Sequence, residues 1–365
     1  MHSGATPVPS VPLSSITIWP GNSSLILKPV HPLSPDKMRL HLIDAQRQLK
    51  TRLRPTALTP SLFFVTVAAL DTADSKIHLL TLPKDTFLTK GVSVTLVSSL
   101  GTPLRLQIVR PNYVNTAVTV SDLTGRQLLP LMVEYPIEHG GVFHEMAYYT
   151  SAHPALLSPE LVKTGKTYVR TMIDAAAKRL KDQGVTITPQ VLNTAEHLCV
   201  VEHVDHDRFR RENRIALYEE IYSLYALNEL DTYRYSVSFA GAGGMVQMIP
   251  STYQMLRRLH PAVGLNPDFV AGMRNHGNAL EAMLLYMQDT WNDLLLQPDI
   301  NSALAAKIAT PAELLAAGYN SNPAHLALYL RRGGIDWRML IPRETQTYLQ
   351  IYNSLDALVP MKPHE

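Results

Sequence analysis

Residues 238–252 of this chain have the sequence Ser-Phe-Ala-Gly-Ala-Gly-Gly-Met-Val-Gln-Met-Ile-Pro-Ser-Thr. Three glycines fall close together in this stretch, at Gly241, Gly243 and Gly244. Because each would cost a helix interior about 1 kcal/mol relative to alanine, they predict a tight turn that lies close to another element or to a ligand. Gln247 follows between apolar neighbours, and a helical pattern begins at Pro250. The stretch fits a pocket for a polar ligand and equally fits a corner between two helices.

The composition of the chain excludes some classes of protein. The formal net charge is only +2 over 365 residues, which argues against a nucleic-acid binder that works through a concentrated basic face. No apolar run approaches the roughly 18 residues of a membrane-spanning helix, so none is predicted. Cys199 is the single cysteine, which excludes an internal disulfide. The first residues, Met1–Gly4, lack the apolar segment of a signal peptide.

Three regions of the chain differ in texture, and together they predict an α+β protein. Residues 1–60 are rich in proline and predict an extended arm with one short helix, near Met38–Leu53. Residues 61–150 predict a small antiparallel β module, because apolar and polar residues alternate between turn sequences. Residues 151–365 predict a mainly α-helical domain. The candidate strands of the β module are Phe63–Leu70, Ile77–Leu82, Val92–Leu96, Leu104–Ile108, Thr116–Val120 and Gln127–Glu134.

Two helix starts precede the candidate chemistry, at Ser158-Pro159 and Thr188-Pro189, where a hydroxyl N-cap comes before proline. In the second helix an apolar stripe leads to Glu202 through Val191, Ala195, Leu198 and Cys199. Burial and the negative end of the helix dipole both disfavour a charged carboxylate there. The pKa of Glu202 is therefore expected to be raised, as a general acid requires. The position equally suits a glutamate paired with a buried arginine or one at the edge of the stripe.

Metal-binding patterns in the sequence are weak. A polar cluster follows the stripe, formed by His203, Asp205, His206 and Asp207, but one tight cluster without a distant ligand is not specific. His144-Glu145 resembles the start of a zinc-protease motif, yet Tyr148 stands where the second histidine should be. We therefore expect neither a metal nor a cofactor.

Four stretches occur in the order found in one protein family. Ser238–Thr252 resembles the S-x-x-G-A-x-G-L-M-Q-x-M-P-S-T motif of soluble lytic transglycosylases, which are relatives of goose-type lysozyme. Leu198–Glu202 resembles the apolar helix that ends on that family's catalytic glutamate. Ala317–Pro323 resembles its A-Y-N-x-G-P motif, and Pro342–Tyr348 resembles its P-x-E-T-x-x-Y motif. The resemblance covers about residues 160–358 and leaves the β module out.

The resemblance implies a lysozyme-like α fold and cleavage of the β-1,4 bond between N-acetylmuramic acid and N-acetylglucosamine in peptidoglycan. Glu202 would protonate the glycosidic oxygen and then accept the proton of the muramic acid 6-hydroxyl as that group attacks C1. The product would be a 1,6-anhydro sugar, formed with one carboxylate where ordinary glycosidases use two. Tyr319 would hydrogen-bond and orient Glu202.

The resemblance also implies substrate-binding positions. Gln247 and Asn320 would hold the N-acetyl sugar, while Met245 and Val246 would line the cleft with their backbone groups near the substrate. Glu344 would brace the fold or touch the glycan. The complete set of implied substrate-binding residues is Gly244, Met245, Val246, Gln247, Asn320, Glu344 and His203.

Two features depart from the family pattern. His203 stands where the family has serine directly after the glutamate, and this larger titratable group would narrow the site or change its pH profile. A segment at about 208–233 lengthens the chain between the glutamate and the glycine motif and predicts an inserted helix. That helix carries a tyrosine stripe which either covers the cleft and stacks on sugar rings or packs on the domain: Tyr218, Tyr222 and Tyr225.

Three hypotheses follow for the function. The leading one is a periplasmic or secreted lytic transglycosylase that acts on peptidoglycan strands, with the β module docking to an envelope or secretion-system protein. The second is a lysozyme-type hydrolase in which Asp205 or Asp207 positions a water molecule. The third is an inactive wall-binding scaffold in which His203 and the inserted segment close the cleft. No nucleic-acid partner is expected.

Overall fold

The structure is a computed structural model that describes residues 33–52, 62–153 and 156–365. The chain divides into two compact units, Met1–Leu156 and Leu157–Glu365. The first contains an antiparallel sheet and the second is helical, so the predicted α+β class is confirmed at this level. Most of the predicted proline-rich arm, residues 1–32, lies outside the described residues. No helix among the described residues is long and apolar enough to cross a membrane.

The first unit combines a sheet of seven strands with helices α1 (Pro35–Thr51) and α2 (Lys84–Phe87) in its described part. Its strands are β1 (Phe64–Asp71), β2 (Lys76–Pro83), β3 (Ser93–Val97), β4 (Pro103–Arg110), β5 (Ala117–Asp122), β6 (Gln127–His139) and β7 (Val142–Tyr149). The sequence predicts α1 and the first six strands but not β7. Strand β7 is only partly buried, so it lacks a clear apolar alternation.

The sheet of the first unit has the strand order β2-β1-β6-β5-β4-β3, with β7 paired to β6, and all pairings are antiparallel. The amide of Ser99, just after β3, donates to the carbonyl of Leu79 in β2 at 3.0 Å. The first and last strands of this order, β2 and β3, therefore lie next to each other at this point. Helix α1 lies on β1 and β6. Beyond its end, the Arg52 guanidinium binds the buried Glu134 carboxylate at 2.6 Å. Helix and sheet therefore share an ion pair as well as an apolar interface.

The second unit is built from helices. They are α3 (Pro159–Asp182), α4 (Pro189–Val201), α5 (His206–Arg211), α6 (Arg214–Asn228), α7 (Pro250–Leu259), α8 (Phe269–Met273), α9 (His276–Leu295), α10 (Pro298–Ala305), α11 (Pro311–Asn320), α12 (Leu326–Gly333) and α13 (Arg343–Leu358). Both predicted starts are observed. The Ser158 hydroxyl accepts from the Leu161 amide at 3.2 Å, whereas the Thr188 hydroxyl donates to the Gln288 side chain at 3.1 Å.

Helix α4 is the centre of the second unit. It packs against α3, α9, α11 and α13. Every residue from Thr194 to Val201 is buried, including the predicted core residues Leu198 and Cys199. A helix buried all round is typical of the core of a large domain. Glu202 follows the last turn of this helix and therefore lies within the helical unit.

The tyrosine stripe of α6 also packs inside this unit. Tyr218, Tyr222 and Tyr225 are at most 1% exposed, and the Tyr225 hydroxyl donates to the Cys199 carbonyl at 2.7 Å. Gly165 of α3 faces this stripe so closely that a β-carbon on it would lie 1.8 Å from the Tyr222 carbonyl oxygen. Packing on the domain is therefore the interpretation that holds, and the stripe does not stack on a ligand.

Replacing Gly165 with alanine should destabilise the protein by about 1–3 kcal/mol, because the added methyl group would push α3 and α6 apart. This loss should exceed the gain of about 1 kcal/mol in helix propensity. Gly277→Ala in α9 is the matched control, since the new β-carbon there meets the ends of two side chains, Arg179 Nη2 at 2.7 Å and Asn275 Oδ1 at 3.3 Å, and not the backbone of a neighbouring helix. Urea denaturation of both variants measures the difference. Equal midpoints would contradict the close crossing of α3 and α6.

Candidate active site

An open cleft of about 600 Å³ in the second unit collects most of the polar residues that the sequence singled out. Glu202 lines it from the end of α4, and Gln247 from the glycine turn. Tyr319 and Asn320 line it from the end of α11, and Glu344 from the first turn of α13. The volume lies within the roughly 300–1,000 Å³ that is usual for ligand pockets. Four segments that are distant in sequence thus meet at one cleft.

The carboxyl group of Glu202 is held in an environment that favours its neutral form. Burial raises its pKa to about 8, although a hydrogen bond from Tyr348 lowers it and the charge of Glu344 adds to the rise. Glu202 also follows the negative end of α4, with its amide donating to the Leu198 carbonyl at 3.0 Å. The direction of this shift is the one that the sequence predicts. At neutral pH the group is therefore an acid with a proton to give.

A tyrosine orients Glu202, but it is Tyr348 and not Tyr319. The Tyr348 hydroxyl donates to Glu202 Oε1 at 2.5 Å, while the Tyr319 hydroxyl donates to the Val246 carbonyl at 2.6 Å. The predicted hydrogen bond from Tyr319 to Glu202 is therefore wrong, although Tyr319 does line the cleft. Tyr348 could have been found from its spacing, because residues four apart on a helix share a face and Glu344 precedes it by four.

The glycine turn folds back on itself through two isolated β-bridges, which join Val237 to Gly243 and Gly243 to Met248. Gly244 has a φ of +68°, and a β-carbon on it would lie 2.3 Å from the Met273 carbonyl oxygen. Both the backbone conformation and the close approach require glycine there. The predicted tight turn against a neighbouring element is thus observed.

The same turn fixes the side chain of Gln247. Its amide nitrogen donates to the Gly244 carbonyl at 2.7 Å and to the Ser236 hydroxyl at 3.2 Å. An amide nitrogen has two hydrogens to give, so the free hydrogen-bonding capacity of this side chain lies on its carbonyl oxygen. Gln247 therefore presents an acceptor to the cleft.

Three residues that the resemblance places at the substrate do not line the cleft. Met245 and Val246 have side chains that are 0% exposed in the core. Gly244 packs against the backbone of α8. The reason is that the backbone turns inward at Gly244, which carries the next two side chains away from solvent. The apolar wall of the cleft is formed instead by Met248 and Ile249.

His203 is also absent from the cleft lining, so the cleft does not support its predicted contact with substrate. Its ring stacks on Tyr233 with centroids 3.3 Å apart and planes within 1°. Burial lowers the pKa of His203 to about 3, so the ring is neutral and Nε2–H donates to the Met245 carbonyl at 2.9 Å. Two consecutive carbonyls of the glycine turn are thus held by side chains from other segments. The Met245 carbonyl accepts from His203, just after α4, and the Val246 carbonyl accepts from Tyr319 of α11.

The carboxylates proposed for a hydrolase lie elsewhere. Asp205 caps α5 by accepting from the amides of Asp207 and Arg208, at 2.8 and 2.9 Å. Asp207 pairs with Arg210 at 3.0 Å, and neither aspartate lines the cleft. The carboxylate that shares the cleft with Glu202 is Glu344, which is exposed.

Three further residues line the cleft, although the sequence reasoning did not place them in the site. His206 lies on α5 and belongs to the polar cluster that follows Glu202, and Thr252 lies on α7 at the end of the glycine motif. Tyr286 lies on α9, and no sequence signal selected it. Among the described residues, no group of three or more His, Cys, Asp or Glu side chains is placed to hold a metal ion.

Comparisons with known proteins add no relative. No protein family matches the chain, and neither the curated proteins nor the solved structures give a match. The four motifs and the geometry of the cleft therefore carry the functional argument.

Glu202 should make stability depend on pH in a way that its amide analogue does not. Because its pKa is raised from 4.5 to about 8, the folded state binds more protons than the unfolded state within that window. The free energy of unfolding of the wild type should therefore fall relative to Glu202→Gln as pH rises from 4.5 to 8, and level off above it. Thermal unfolding of both proteins across the window measures this.

In the comparison of the wild type with Glu202→Gln, the contributions of the other buried titratable groups cancel. Burial lowers the pKa of His203 to about 3 and that of His276 to about 4. Both groups therefore reduce the free energy of unfolding as the pH falls, and they do so equally in the wild type and in Glu202→Gln. A difference in melting temperature that stays constant from pH 4.5 to 8 would contradict the raised pKa of Glu202.

Proposed function

We propose that this protein is a peptidoglycan lytic transglycosylase that cleaves the N-acetylmuramic acid–N-acetylglucosamine β-1,4 bond with Glu202 as its acid and base. The observation that carries the proposal is a carboxyl group that accepts a hydrogen bond from Tyr348 in a cleft that Gln247 and Asn320 also line, where burial raises the pKa of Glu202 to about 8. The motif resemblance supplies the substrate class, and the geometry supports the chemistry. A lysozyme-like helical arrangement is part of the same proposal.

The position of the proton on Glu202 suits the first step. The Tyr348 hydroxyl donates to one carboxyl oxygen, and the second oxygen has no hydrogen-bond partner among the described residues. The proton of the neutral acid is therefore left on the oxygen that is free to reach a substrate. Transfer of this proton to the glycosidic oxygen breaks the bond from that oxygen to C1.

The second step regenerates the acid without water. The muramic acid 6-hydroxyl attacks C1, and its proton returns to the Glu202 carboxylate as the new C1–O6 bond forms. One carboxyl group thus serves in both directions, and a raised pKa keeps the returned proton in place. The burial that favours the neutral acid favours both the resting state and the product state.

The polar lining supports an N-acetylated sugar as substrate. Gln247 offers an amide oxygen, which suits the N–H of an acetamido group. The Asn320 side chain has no hydrogen-bond partner among the described residues, so both its donor and its acceptor are available to a ligand. A complementary pair of amides is the arrangement that such a group requires.

A hydrolase is the second candidate, and one observation favours it. Glu344 lines the same cleft as Glu202, and two carboxylates are what glycosidases use to activate water or form an intermediate. Asp205 and Asp207, which cap and pair within α5, do not support this role. The scaffold hypothesis has less support, because the cleft is open and His203 does not fill it.

The periplasmic or secreted location belongs to this proposal, since the substrate lies in the cell wall. Docking of the first unit to an envelope or secretion-system protein stays a prediction.

Analysis of the products separates these functions. Purified peptidoglycan treated with the wild type should release muropeptides that end in a 1,6-anhydro sugar, which are lighter by one water and resist borohydride reduction. Glu202→Gln should reduce their release at least ~100-fold, because the proton donor is lost. Glu219→Gln, an exposed glutamate of α6, is the matched control and should keep wild-type release.

Each other outcome selects a different function. Reducible ends from the wild type would identify a hydrolase. Equal release by wild type and Glu202→Gln would remove Glu202 from the chemistry, and no release by either would favour a binding scaffold.

A further inference from the structure

Phe239 stands out on the surface of the second unit. It is fully exposed, and its exposure of 111% is the highest among the large apolar side chains of the described residues. The residues on either side of it, Ser238 and Ala240, both line the cleft. A large aromatic ring therefore stands in water at the rim of the candidate active site.

The backbone holds Phe239 in this place. The Gly241 amide donates to the Ser238 carbonyl at 2.9 Å, which makes Phe239 and Ala240 the central residues of a β-turn. The Ala242 amide donates to the Ser238 hydroxyl at 3.0 Å, and the Ser238 amide donates to the Ala242 carbonyl at 2.8 Å. Gly241 leaves the turn with a φ of +78°. The turn is thus closed by three hydrogen bonds, which hold the backbone of Phe239 at the rim of the cleft.

The rim around Phe239 is apolar. Ile249 lines the cleft and is 40% exposed, and Val237 is 71% exposed at the start of the same turn. The opposite character prevails deeper in the cleft, where Glu202, Gln247 and Asn320 are polar. A ligand that fits both surfaces must combine polar groups with an apolar face.

A pyranose ring has this combination, because its hydroxyl and acetamido groups lie around the edge and its C–H bonds form an apolar face. We infer that Phe239 stacks on the apolar face of a sugar ring at the rim of the cleft, in a glycan strand whose cleavage site lies at Glu202. The inference rests on the proposed function and goes beyond it, because it assigns a binding position outside the residues that hold the cleaved bond. The turn already fixes the backbone of Phe239, and a phenylalanine side chain has only two χ angles to order on binding.

This position makes the enzyme prefer long strands. A strand long enough to reach from Glu202 to the rim contacts Phe239, whereas a shorter one that occupies only the polar part of the cleft gains nothing from it. The preference for length should therefore depend on this side chain.

Kinetics with uncross-linked strands of alternating N-acetylglucosamine and N-acetylmuramic acid test the inference. Phe239→Ala should raise KM for eight-sugar strands about tenfold and change kcat much less, since stacking is lost away from the reacting bond. Phe239→Trp should restore the wild-type KM because tryptophan keeps an aromatic face. Leu296→Ala removes a side chain that is 80% exposed and outside the cleft lining, and it serves as the matched control.

Binding measurements distinguish failure of the inference from failure of the proposed function. Calorimetry with Glu202→Gln, alone and combined with Phe239→Ala, should show about tenfold weaker binding of the eight-sugar strand to the double variant. Equal binding by both would overturn the stacking role and leave the proposed function standing. Absence of binding and of product release would overturn both.

Discussion

The burial of helix α4 is the constraint on which the candidate site depends. Because α3, α9, α11 and α13 surround this helix, its C-terminal end meets the cleft of the second unit and not the outer surface. The residue placed there is a glutamate, and its pKa rises to about 8 as a direct result of burial. The same packing that stabilises the helical unit therefore creates the acid.

The rest of the site depends on hydrogen bonds to the glycine turn. His203 donates to the Met245 carbonyl and Tyr319 donates to the Val246 carbonyl, so adjacent residues of the turn are bonded to the end of α4 and to α11. His203, predicted to contact the substrate, and Tyr319, predicted to orient Glu202, thus both hold the backbone of the glycine turn. Their hydrogen bonds fix the backbone that carries Gln247, and Tyr348 independently fixes Glu202. Hydrogen bonds within the protein therefore hold the cleft in place before a ligand binds.

Sequence reasoning found the parts of this site that follow from local pattern. The apolar stripe of α4 correctly indicated the raised pKa of Glu202, and the glycine spacing correctly indicated a turn with close backbone contact at Gly244. Sequence reasoning failed where contacts between residues distant in sequence determine the geometry of the site. Which of two tyrosines reaches Glu202 depends on how α11 and α13 cross α4, and period and spacing do not encode that crossing.

A similar limit applies to side-chain direction. Met245 and Val246 sit in a motif that suggests a cleft wall, but the inward turn at Gly244 buries both. The tyrosines of α6 follow a helical stripe that a lid and a packed helix would share. Only the contact between Gly165 and the Tyr222 backbone decides for packing.

An NMR titration of the side-chain carboxyl carbons, with Glu202 assigned by comparison with Glu202→Gln, is the sharpest test of the candidate acid. Glu202 should titrate near pH 8, and Tyr348→Phe should move its pKa still higher, because the hydrogen bond that lowers the pKa is lost. A pKa near the ordinary value of 4.5 would contradict the claim that burial keeps this acid protonated.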